Sequence, residues 1–333
     1  MNEALPPFPT LADVRRAASV IAPYLSLPTP LLFSPGLSEL LGARVSLKLE
    51  IATPISAFKV RGGIYLLSTL SPEHRQAGVV TASSGNHGQS IAYAAQLLGV
   101  RATIFLPEVV NPDKKAAIQR FGAEIVHHGD RYDNARLAAI EYAAERGMRY
   151  LDAVNTPELY AGVGTAALEV LAQQQPETDL VIVPLGGGSE ACGWITVRDG
   201  LGAPTEVWAT QSAQAPAVHD SWRAGRLLER PNTTFADGLA TGQAFALPFP
   251  LLQRGLSDFV LVDDREIAAA VVVLLQRAHI LAEPAGACST AAALARRERI
   301  RGRKVVLVVS GANITLALLR EILNGSAVPA AER

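Results

Sequence analysis

The segment GVVTASSGNHGQSIAYAAQLLG (residues 78–99) decides the fold. In it a short β-branched run, a loop of small residues and a helical stretch follow one another without a break. Two further pairs of the same kind come next, RATIFLP (101–107) before NPDKKAAIQRFG and AEIVHHG (123–129) before RYDNARLAAIEYAAERG. Parallel strands need such helical crossovers, and helices on both faces of a sheet make its strands continuously apolar. The segment therefore predicts a parallel α/β sheet.

A second series of strand candidates lies in the C-terminal half of the chain. Each is followed by a helical stretch, and they are DLVIVPL (179–185), PTEVWATQ (204–211), DFVLV (258–262) and KVVLVVS (304–310). Residues 226–256 are rich in Pro, Gly and polar residues, and predict a long irregular connection of a kind that is often functional. We expect two α/β lobes, with a ligand bound between them at the carboxyl ends of the strands.

Composition narrows the class of protein. The 333 residues exceed what one typical core holds, and 49% are hydrophobic against 18% charged, which suits a well-buried enzyme. The net charge of -1, with no basic block, argues against a nucleic-acid partner. Cys192 and Cys288 cannot form a disulfide framework and have no metal-ligand spacing. Neither a signal peptide nor a membrane span is indicated, so we expect a cytoplasmic protein that does not enter the membrane.

Three loops of small residues directly follow predicted strands, and they are TASSGNHGQS (81–90), PLGGGSEACG (184–193) and VVSGANIT (308–315). Small residues let backbone N–H groups approach a ligand, and a helix N-terminus favours an anion. The three successive glycines of the second loop are unfavourable in backbone entropy, and in this setting they predict a phosphate site. The loop matches neither a Walker loop nor a dinucleotide fingerprint.

One lysine stands among small and apolar residues in PISAFKVRGG (54–63). On its own, Lys59 could be a charge on the surface of a helix. Beside a phosphate loop and a second Gly/Ser loop that could hold a carboxylate, it predicts pyridoxal phosphate. Lys59 is then the Schiff-base residue, and a partly desolvated site lowers its pKa.

Five segments in a fixed order resemble the signatures of the β-family, or fold type II, of pyridoxal-phosphate enzymes. They are SAFKVRGG (56–63), SSGNHGQ (83–89), GGGSEACG (186–193), EPAGA (283–287) and SGAN (310–313). The resemblance is strongest to the branch of threonine/serine dehydratases and serine racemases, and it covers nearly the whole chain.

This resemblance implies a fold like that of the tryptophan synthase β-subunit. Two α/β lobes are expected, each a mostly parallel twisted sheet flanked by helices. Residues 1–75 and 154–333 would form a large cofactor-binding domain, and residues 76–153 a small substrate-binding domain inserted in it. The resemblance also implies a homodimer.

A role for each motif residue follows from the resemblance. Lys59 would hold the cofactor and carry a proton on one of its faces, while Phe58 would pack against the ring. Asn86 would bond the ring hydroxyl, Glu283 would lie near the ring's edge, and Ser310 would face the pyridine nitrogen. The remaining implied contacts are those with the phosphate, from Gly186, Gly187, Gly188 and Ser189, and those with the substrate carboxylate, from Ser83, Gly85 and His87.

The expected reaction is α,β-elimination of L-threonine or L-serine to a 2-oxo acid and ammonia. A hydroxyl such as that of Ser310 leaves the pyridine nitrogen largely unprotonated, which suits loss of a β-substituent. Two alternatives use the same cofactor. Ser84, on the face opposite Lys59, would supply the second base of a serine racemase, and another β-hydroxy amino acid such as hydroxyaspartate or phenylserine could be the substrate. A non-catalytic ligand-binding relative is the alternative from another class.

The sequence departs from the family's pattern at three places. SAFK (56–59) replaces Gly-Ser-Phe-Lys, so that a hydroxyl has moved by one position. In the phosphate loop, Ser189 and Glu190 replace a fourth glycine and an aliphatic residue. Ser189 can still donate to phosphate, and we expect Glu190 to point away from it, a refolded loop being the alternative. Gln211 and Ala217 stand where the acids of a divalent-cation site would be, so no metal is expected.

Overall fold

The computed structural model describes residues 6–175 and 177–326. The strands are β1 (Leu31–Phe33), β2 (Arg44–Leu49), β3 (Val79–Ala82), β4 (Ala102–Leu106), β5 (Glu124–His127), β6 (Arg149–Tyr150), β7 (Leu180–Pro184), β8 (Glu206–Ser212), β9 (Asp258–Val262) and β10 (Lys304–Val309). The helices are α1 (Leu11–Ile21), α2 (Pro35–Leu41), α3 (Lys59–Ser68), α4 (Pro72–Ala77), α5 (Asn86–Leu98), α6 (Pro112–Gln119), α7 (Tyr132–Glu145), α8 (Pro157–Leu168), α9 (Ser189–Leu201), α10 (Ala217–Ala224), α11 (Phe249–Gly255), α12 (Asp264–Ala278), α13 (Pro284–Ala295), α14 (Arg297–Ile300) and α15 (Leu316–Leu323). A π-helical turn, Glu169–Gln174, continues α8, and Asp237–Leu239 forms a 3₁₀ turn. No helix in these described ranges is long and apolar enough to cross a membrane.

The strands form two sheets. In the six-stranded sheet the order is β1-β2-β10-β7-β8-β9, and in the four-stranded sheet it is β5-β4-β3-β6. Strand β1 runs antiparallel to β2, and every other neighbouring pair is parallel. The predicted fold class, an α/β protein of two mostly parallel sheets flanked by helices, is confirmed.

The smaller sheet lies in one stretch of the chain, between Val79 and Tyr150. The larger sheet takes its strands from both sides of that stretch, and the chain returns to it through α8. This distribution supports the domain boundaries that we propose, a small domain over 76–153 inserted between 1–75 and 154–333.

The larger sheet is covered on both faces, as its continuous apolar strands predict. Along β10, Val305 and Leu307 belong to one buried cluster with the side chains of α12 and α13. Val306 and Val308 belong to another, with the side chains of α8 and α9. Successive side chains of a strand point to opposite faces, so a strand between two helical layers has no polar face.

Two parts of the sequence prediction need correction. Strands β1, β2 and β6 were not predicted; in β2 the polar residues Arg44, Ser46 and Lys48 alternate with apolar ones, and this hides a strand that is largely buried. The stretch 226–256 is not irregular throughout, because its end folds as α11, where Leu251 and Leu252 are buried.

Helix α3 lies between α5 and α8, and glycines allow the close approach. A Cβ on Gly63 would stand 2.2 Å from Ser90 Oγ of α5, and one on Gly162 of α8 would stand 2.6 Å from Arg61 O. Any larger residue would push the helices apart. Helix α3 begins at Lys59, so this packing fixes the lysine between the two sheets.

Candidate active site

A cavity of about 400 Å³ lies beyond the carboxyl ends of β3, β7 and β10. The three Gly/Ser loops of the sequence follow these strands and meet here. Every site residue predicted from the sequence lines the cavity, and these are Phe58, Lys59, Ser83, Ser84, Gly85, Asn86, His87, Gly186, Gly187, Gly188, Ser189, Glu283 and Ser310.

Lys59 is held at the first position of α3. Ser90 Oγ donates to the Lys59 carbonyl oxygen at 2.7 Å, and Lys59 Nζ lies 4.9 Å from the centre of the Phe58 ring. Burial lowers the pKa of the Lys59 amine, and the carboxyl groups of Glu190 and Glu283 partly offset this. A lowered pKa gives the amine more of its neutral, nucleophilic form.

Two helix N-termini border the same cavity. Helix α5 begins after Gly85 and α9 begins after Gly188, and neither of these N-cap residues supplies a side-chain hydrogen bond. The first N–H groups of a helix have no partner within the helix, and the dipole makes this end positive. Each terminus is therefore suited to bind an anion, and together the two termini fit a pair of anionic groups bound in the cavity.

The loop before α9 depends on its glycines. A Cβ on Gly186 would stand 2.4 Å from Gly238 O, and one on Gly187 would stand 2.7 Å from Val154 Cγ2. Gly188 has a φ of +98°, in the region that favours glycine. Only glycine lets this backbone pack against its neighbours and stay open to the cavity. The loop therefore fits the phosphate of the predicted cofactor.

A chain of amide and carboxyl groups crosses the cavity wall. Asn313 Nδ2 donates to Asn86 Oδ1 at 2.7 Å, and Asn86 Nδ2 donates to Glu283 Oε1 at 2.7 Å. Burial raises the pKa of Glu283 to about 7, although the bond from Asn86 lowers it. A Cβ on Gly311 would stand 2.3 Å from Glu283 Oε1, so the Gly and Asn of the SGAN motif place this carboxyl group. The role of Asn313 was not predicted, although the motif contains it.

Burial favours the neutral form of the His87 imidazole. Thr81 Oγ1 donates to Leu151 O at 2.7 Å, so at 3.1 Å from His87 Nε2 it accepts the histidine proton. Burial lowers the pKa of His87 to about 3, and the charge of Lys59 lowers it further. A carboxylate at the α5 N-terminus would therefore meet N–H groups and hydroxyls rather than a charged histidine.

A buried ion network surrounds Arg61, two residues after Lys59, and it was not predicted from the sequence. Arg61 Nε lies 2.7 Å from Glu50 Oε2, and Arg61 Nη1 lies 2.7 Å from Glu169 Oε1. Lys48 Nζ lies 2.6 Å from Glu169 Oε2 and donates to Thr29 O at 2.9 Å. These bonds join β2, α3 and the π-helical turn after α8, and they account for the arginine of the VRGG motif.

The two lobes also meet across the mouth of the cavity. Lys114 of α6 forms an ion pair with Asp237 of the 3₁₀ turn. Tyr132 of α7 and residues 237–240, which belong to the long connection 226–256, also line the cavity. The position of Lys114 in the cavity wall was not predicted. The available signal was its place in the first turn of a helix that follows a parallel strand.

The departures from the family's pattern have distinct outcomes. Ser56 is not among the cavity-lining residues and has a φ of +51°. Glu190 is 4% exposed and lines the cavity, so it is enclosed in the site that the loop forms. Gln211 and Ala217 are fully buried. Within residues 6–175 and 177–326, no three His, Cys, Asp or Glu side chains are grouped as a metal ion requires.

A buried lysine amine, a glycine loop that fits a phosphate and a second helix N-terminus suited to an anion are what an enzyme needs to bind an aldehyde cofactor through a lysine. The comparison with known proteins identifies the family. The family described as pyridoxal-phosphate dependent enzyme matches residues 24–311, and the chain belongs to it. The predicted cofactor, pyridoxal phosphate, and the predicted family are confirmed.

Relatives of known name agree with this assignment. An L-threonine ammonia-lyase from Geobacter sulfurreducens is 37% identical over 91% of this chain and 75% of its own length. An L-threo-3-hydroxyaspartate ammonia-lyase from Saccharomyces cerevisiae is 32% identical over 95% of this chain and 97% of its own length. The structure of maize serine racemase superposes with a TM-score of 0.88 at 28% identity, covering 95% of this chain and 97% of that one.

Proposed function

We propose that the protein is a pyridoxal-phosphate-dependent ammonia-lyase, which eliminates the β-hydroxyl of L-threonine or L-serine and yields a 2-oxo acid and ammonia. The observation that carries this proposal is the Lys59 amine in one cavity with two uncapped helix N-termini. The reaction needs an amine between a phosphate site and a carboxylate site. The Geobacter sulfurreducens ammonia-lyase supports the class of substrate.

The cofactor would be held by residues of both lobes. When bound, it supplies an aldehyde that joins to an amine and a ring that draws electrons from the substrate's α-carbon. The loop 186–189 and the α9 N-terminus would hold its phosphate, and Phe58 would pack against its ring. Asn86, whose Nδ2 has a second proton beyond the one given to Glu283, would donate to the ring hydroxyl.

The substrate lies between the cofactor and α5. The α5 N-terminus, with Ser83, Gly85 and His87, binds the carboxylate and so orients the α-proton toward Lys59. The lowered pKa of Lys59 gives its amine more of the neutral form that can take that proton. Ser310, 4% exposed in the cavity wall, offers the ring nitrogen a neutral hydroxyl, which favours loss of the β-substituent.

A second candidate function is racemisation, which the position of Ser84 favours. Ser84 lines the same cavity as Lys59, and a racemase needs one base on each face of the substrate. Serine racemase is also the name of the maize relative. Hydroxyaspartate is the second candidate substrate, because the yeast relative acts on it by name and the cation Lys114 lines the cavity.

One set of incubations tests these functions. The holoenzyme is given L-threonine, L-serine, D-serine, phenylserine and L-threo-3-hydroxyaspartate in turn, and ammonia, 2-oxo acid and the opposite enantiomer are measured. We expect ammonia and 2-oxo acid in equal amounts from L-threonine and L-serine. D-serine formation that disappears in Ser84→Ala, with elimination retained, would establish the racemase instead. If the purified protein lacks the cofactor's absorbance and forms no product, the remaining interpretation is a non-catalytic ligand-binding protein.

The cytoplasmic location and the homodimer expected from the sequence stay predictions. Sedimentation of the holoenzyme over a range of concentrations tests the second. A single species of twice the mass of the chain would agree with it, and a monomer at all concentrations would contradict it.

A further inference from the structure

One ion pair joins the two lobes at the wall of the cavity, and the proposed function leaves its acidic partner, Asp237, without a task. Lys114, in the first turn of α6, pairs with Asp237 of the 3₁₀ turn, and both line the cavity. Both also line a second cavity of about 200 Å³, which adjoins the first because Glu283 and Asn313 line the two as well. The ion pair therefore stands where the two cavities meet.

Lys114 is the cation that the site has left for the side chain of a substrate. Within residues 6–175 and 177–326, two lysines and no arginine line the main cavity. Lys59 is the amine that joins the cofactor, and burial lowers the pKa of His87 to about 3, so the histidine adds no charge. The N-termini of α5 and α9 are taken by the substrate carboxylate and the phosphate. A second carboxylate, on the substrate side chain, would therefore be met by the Lys114 amine.

Asp237 competes with such a carboxylate for the same amine. In the structure the pair is closed, and the side chains of Lys114 and Asp237 are 28% and 69% exposed. An ion pair as exposed as this contributes little to stability, so opening it costs little. The second cavity adjoins Asp237 and offers volume for its side chain when the pair opens. While the pair is closed, Asp237 both neutralises Lys114 and repels an incoming carboxylate.

Repulsion of the wrong ligand sets specificity as much as attraction of the right one does. The neutral side chain of serine or threonine does not compete for the Lys114 amine, and it can bind while the pair is closed. An acidic side chain can bind only after it has replaced Asp237 at Lys114. The two partners of one ion pair thus act on an acidic ligand in opposite directions.

We propose that Lys114 and Asp237 together determine which charge class of amino-acid side chain the site accepts. Asp237 selects against an acidic side chain such as that of hydroxyaspartate, and Lys114 binds one once Asp237 has moved away. With the pair closed the site selects neutral side chains. The inference deepens the proposed function and rests on it in one respect, that the ligand is an amino acid whose side chain lies toward this ion pair.

The test compares two ligands that differ by one charge. L-Aspartate and L-asparagine have nearly the same shape and no β-hydroxyl to eliminate, so the change in the cofactor's absorbance during titration of the holoenzyme gives a Kd for each. The measured quantity is the Kd of asparagine divided by the Kd of aspartate. Asp237→Asn should raise this ratio about fivefold or more, and Lys114→Met should lower it by about as much, because one charge at contact distance in a partly exposed site has about this effect.

Two control proteins and one change of solvent show whether the effect is one of charge. The double variant, Lys114→Met with Asp237→Asn, should return the ratio to within about twofold of the wild type, because both charges are gone. Lys115→Met removes the same charge from the next residue of α6, which lines neither cavity, and should keep the wild-type ratio. Raising the ionic strength from about 0.02 M to about 0.5 M should bring the ratios of the variants together, since salt screens exposed charges.

The single variants decide the outcome. A ratio that stays at the wild-type value in both, or that moves in the same direction in both, would overturn the inference, and so would an equal change in Lys115→Met. Asp237→Asn keeps the size of the side chain, so it decides alone if Lys114→Met does not fold. If the ratios follow the expected order but no amino acid releases ammonia, the proposed function fails and this inference stands. If neither ligand binds, both fail together.

Discussion

Two cations two residues apart on α3 stand in opposite situations. Arg61 is completely buried and bonded to two carboxylates and two hydroxyls. Lys59 faces a cavity, where burial lowers the pKa of its amine. The first cation is matched by permanent partners, and the second is left for a ligand. One turn of helix therefore contains both a structural charge and the amine that we propose is reactive.

The contrast between Arg61 and Lys59 shows how the position of Lys59 is made rigid. The network of Arg61 joins β2, α3 and the end of α8, so the helix that carries Lys59 is fixed in a part of the protein where every charge is paired. A buried ion pair contributes little net stability by itself, but loss of one partner leaves an uncompensated charge. The network therefore fixes α3 from outside the cavity, and the unsatisfied groups that line the cavity do not have to do so.

The largest effect is expected at the reactive cation. Lys59→Ala should lower ammonia release from L-threonine by at least about 10³-fold, because both the anchor of the cofactor and the acid–base group are lost. Folding should persist, since Ser90 bonds the backbone of this residue. Ammonia release and cofactor absorbance after dialysis check this. A variant that keeps both would show that Lys59 is not the reactive lysine.

The structural cation should affect stability instead. Arg61→Met leaves Glu50 and Glu169 buried with only Lys48, and should lower the free energy of unfolding by about 3–5 kcal/mol in urea at neutral pH. Arg61 and Lys48 hold the pKa of Glu50 below its usual value of 4.5 in spite of burial, so the stability that Glu50 contributes is present above that value and is lost as pH falls through the folded pKa. The difference between variant and wild type should therefore shrink in acid.

The matched control for Arg61 is an exposed pair. Arg16 lies 3.5 Å from Asp13, with side chains 66% and 35% exposed. Arg16→Met should change the free energy of unfolding by less than about 1 kcal/mol. Equal effects at Arg16 and Arg61 would remove the distinction between the network and the surface.

Glu283 lines the cavity, and the pH dependence of stability tests the cavity side of the comparison. In the folded chain its pKa is about 7, against 4.5 when it is exposed, so unfolding releases a proton between these values. Stability of the cofactor-free chain should fall as pH rises from 4.5 to 7, by about 3 kcal/mol from this residue, and should not fall further above. Glu283→Gln should remove that fall while keeping an acceptor for Asn86. Urea unfolding at several pH values checks it, and parallel curves for both proteins would contradict it.

The difference between the two regions also explains what the sequence could predict. Strands such as β7 and β10 are continuous apolar runs, and the cavity residues stand in short motifs, so both are visible locally. The network is not, because Arg61 reaches a partner 108 residues away, and Lys48 one 121 residues away. Lys48 made β2 look polar for the same reason. Lys114 and Asp237, 123 residues apart, meet only through the fold.

The smallest effect is expected at Ser56, three residues before Lys59. Its φ of +51° lies in the left-handed region, where the family's pattern has glycine, and its carbonyl accepts from Ala312 N at 2.9 Å. Ser56→Gly should relieve about 1–2 kcal/mol of strain and lose about 0.5–1 kcal/mol to chain entropy, a net gain of about 0–1.5 kcal/mol. Gly202, at a φ of +63° with open space around it, is the matched control, and Gly202→Ala should destabilise by about 1 kcal/mol. Changes of the same sign in the two variants would show that the serine is held there by something other than backbone strain.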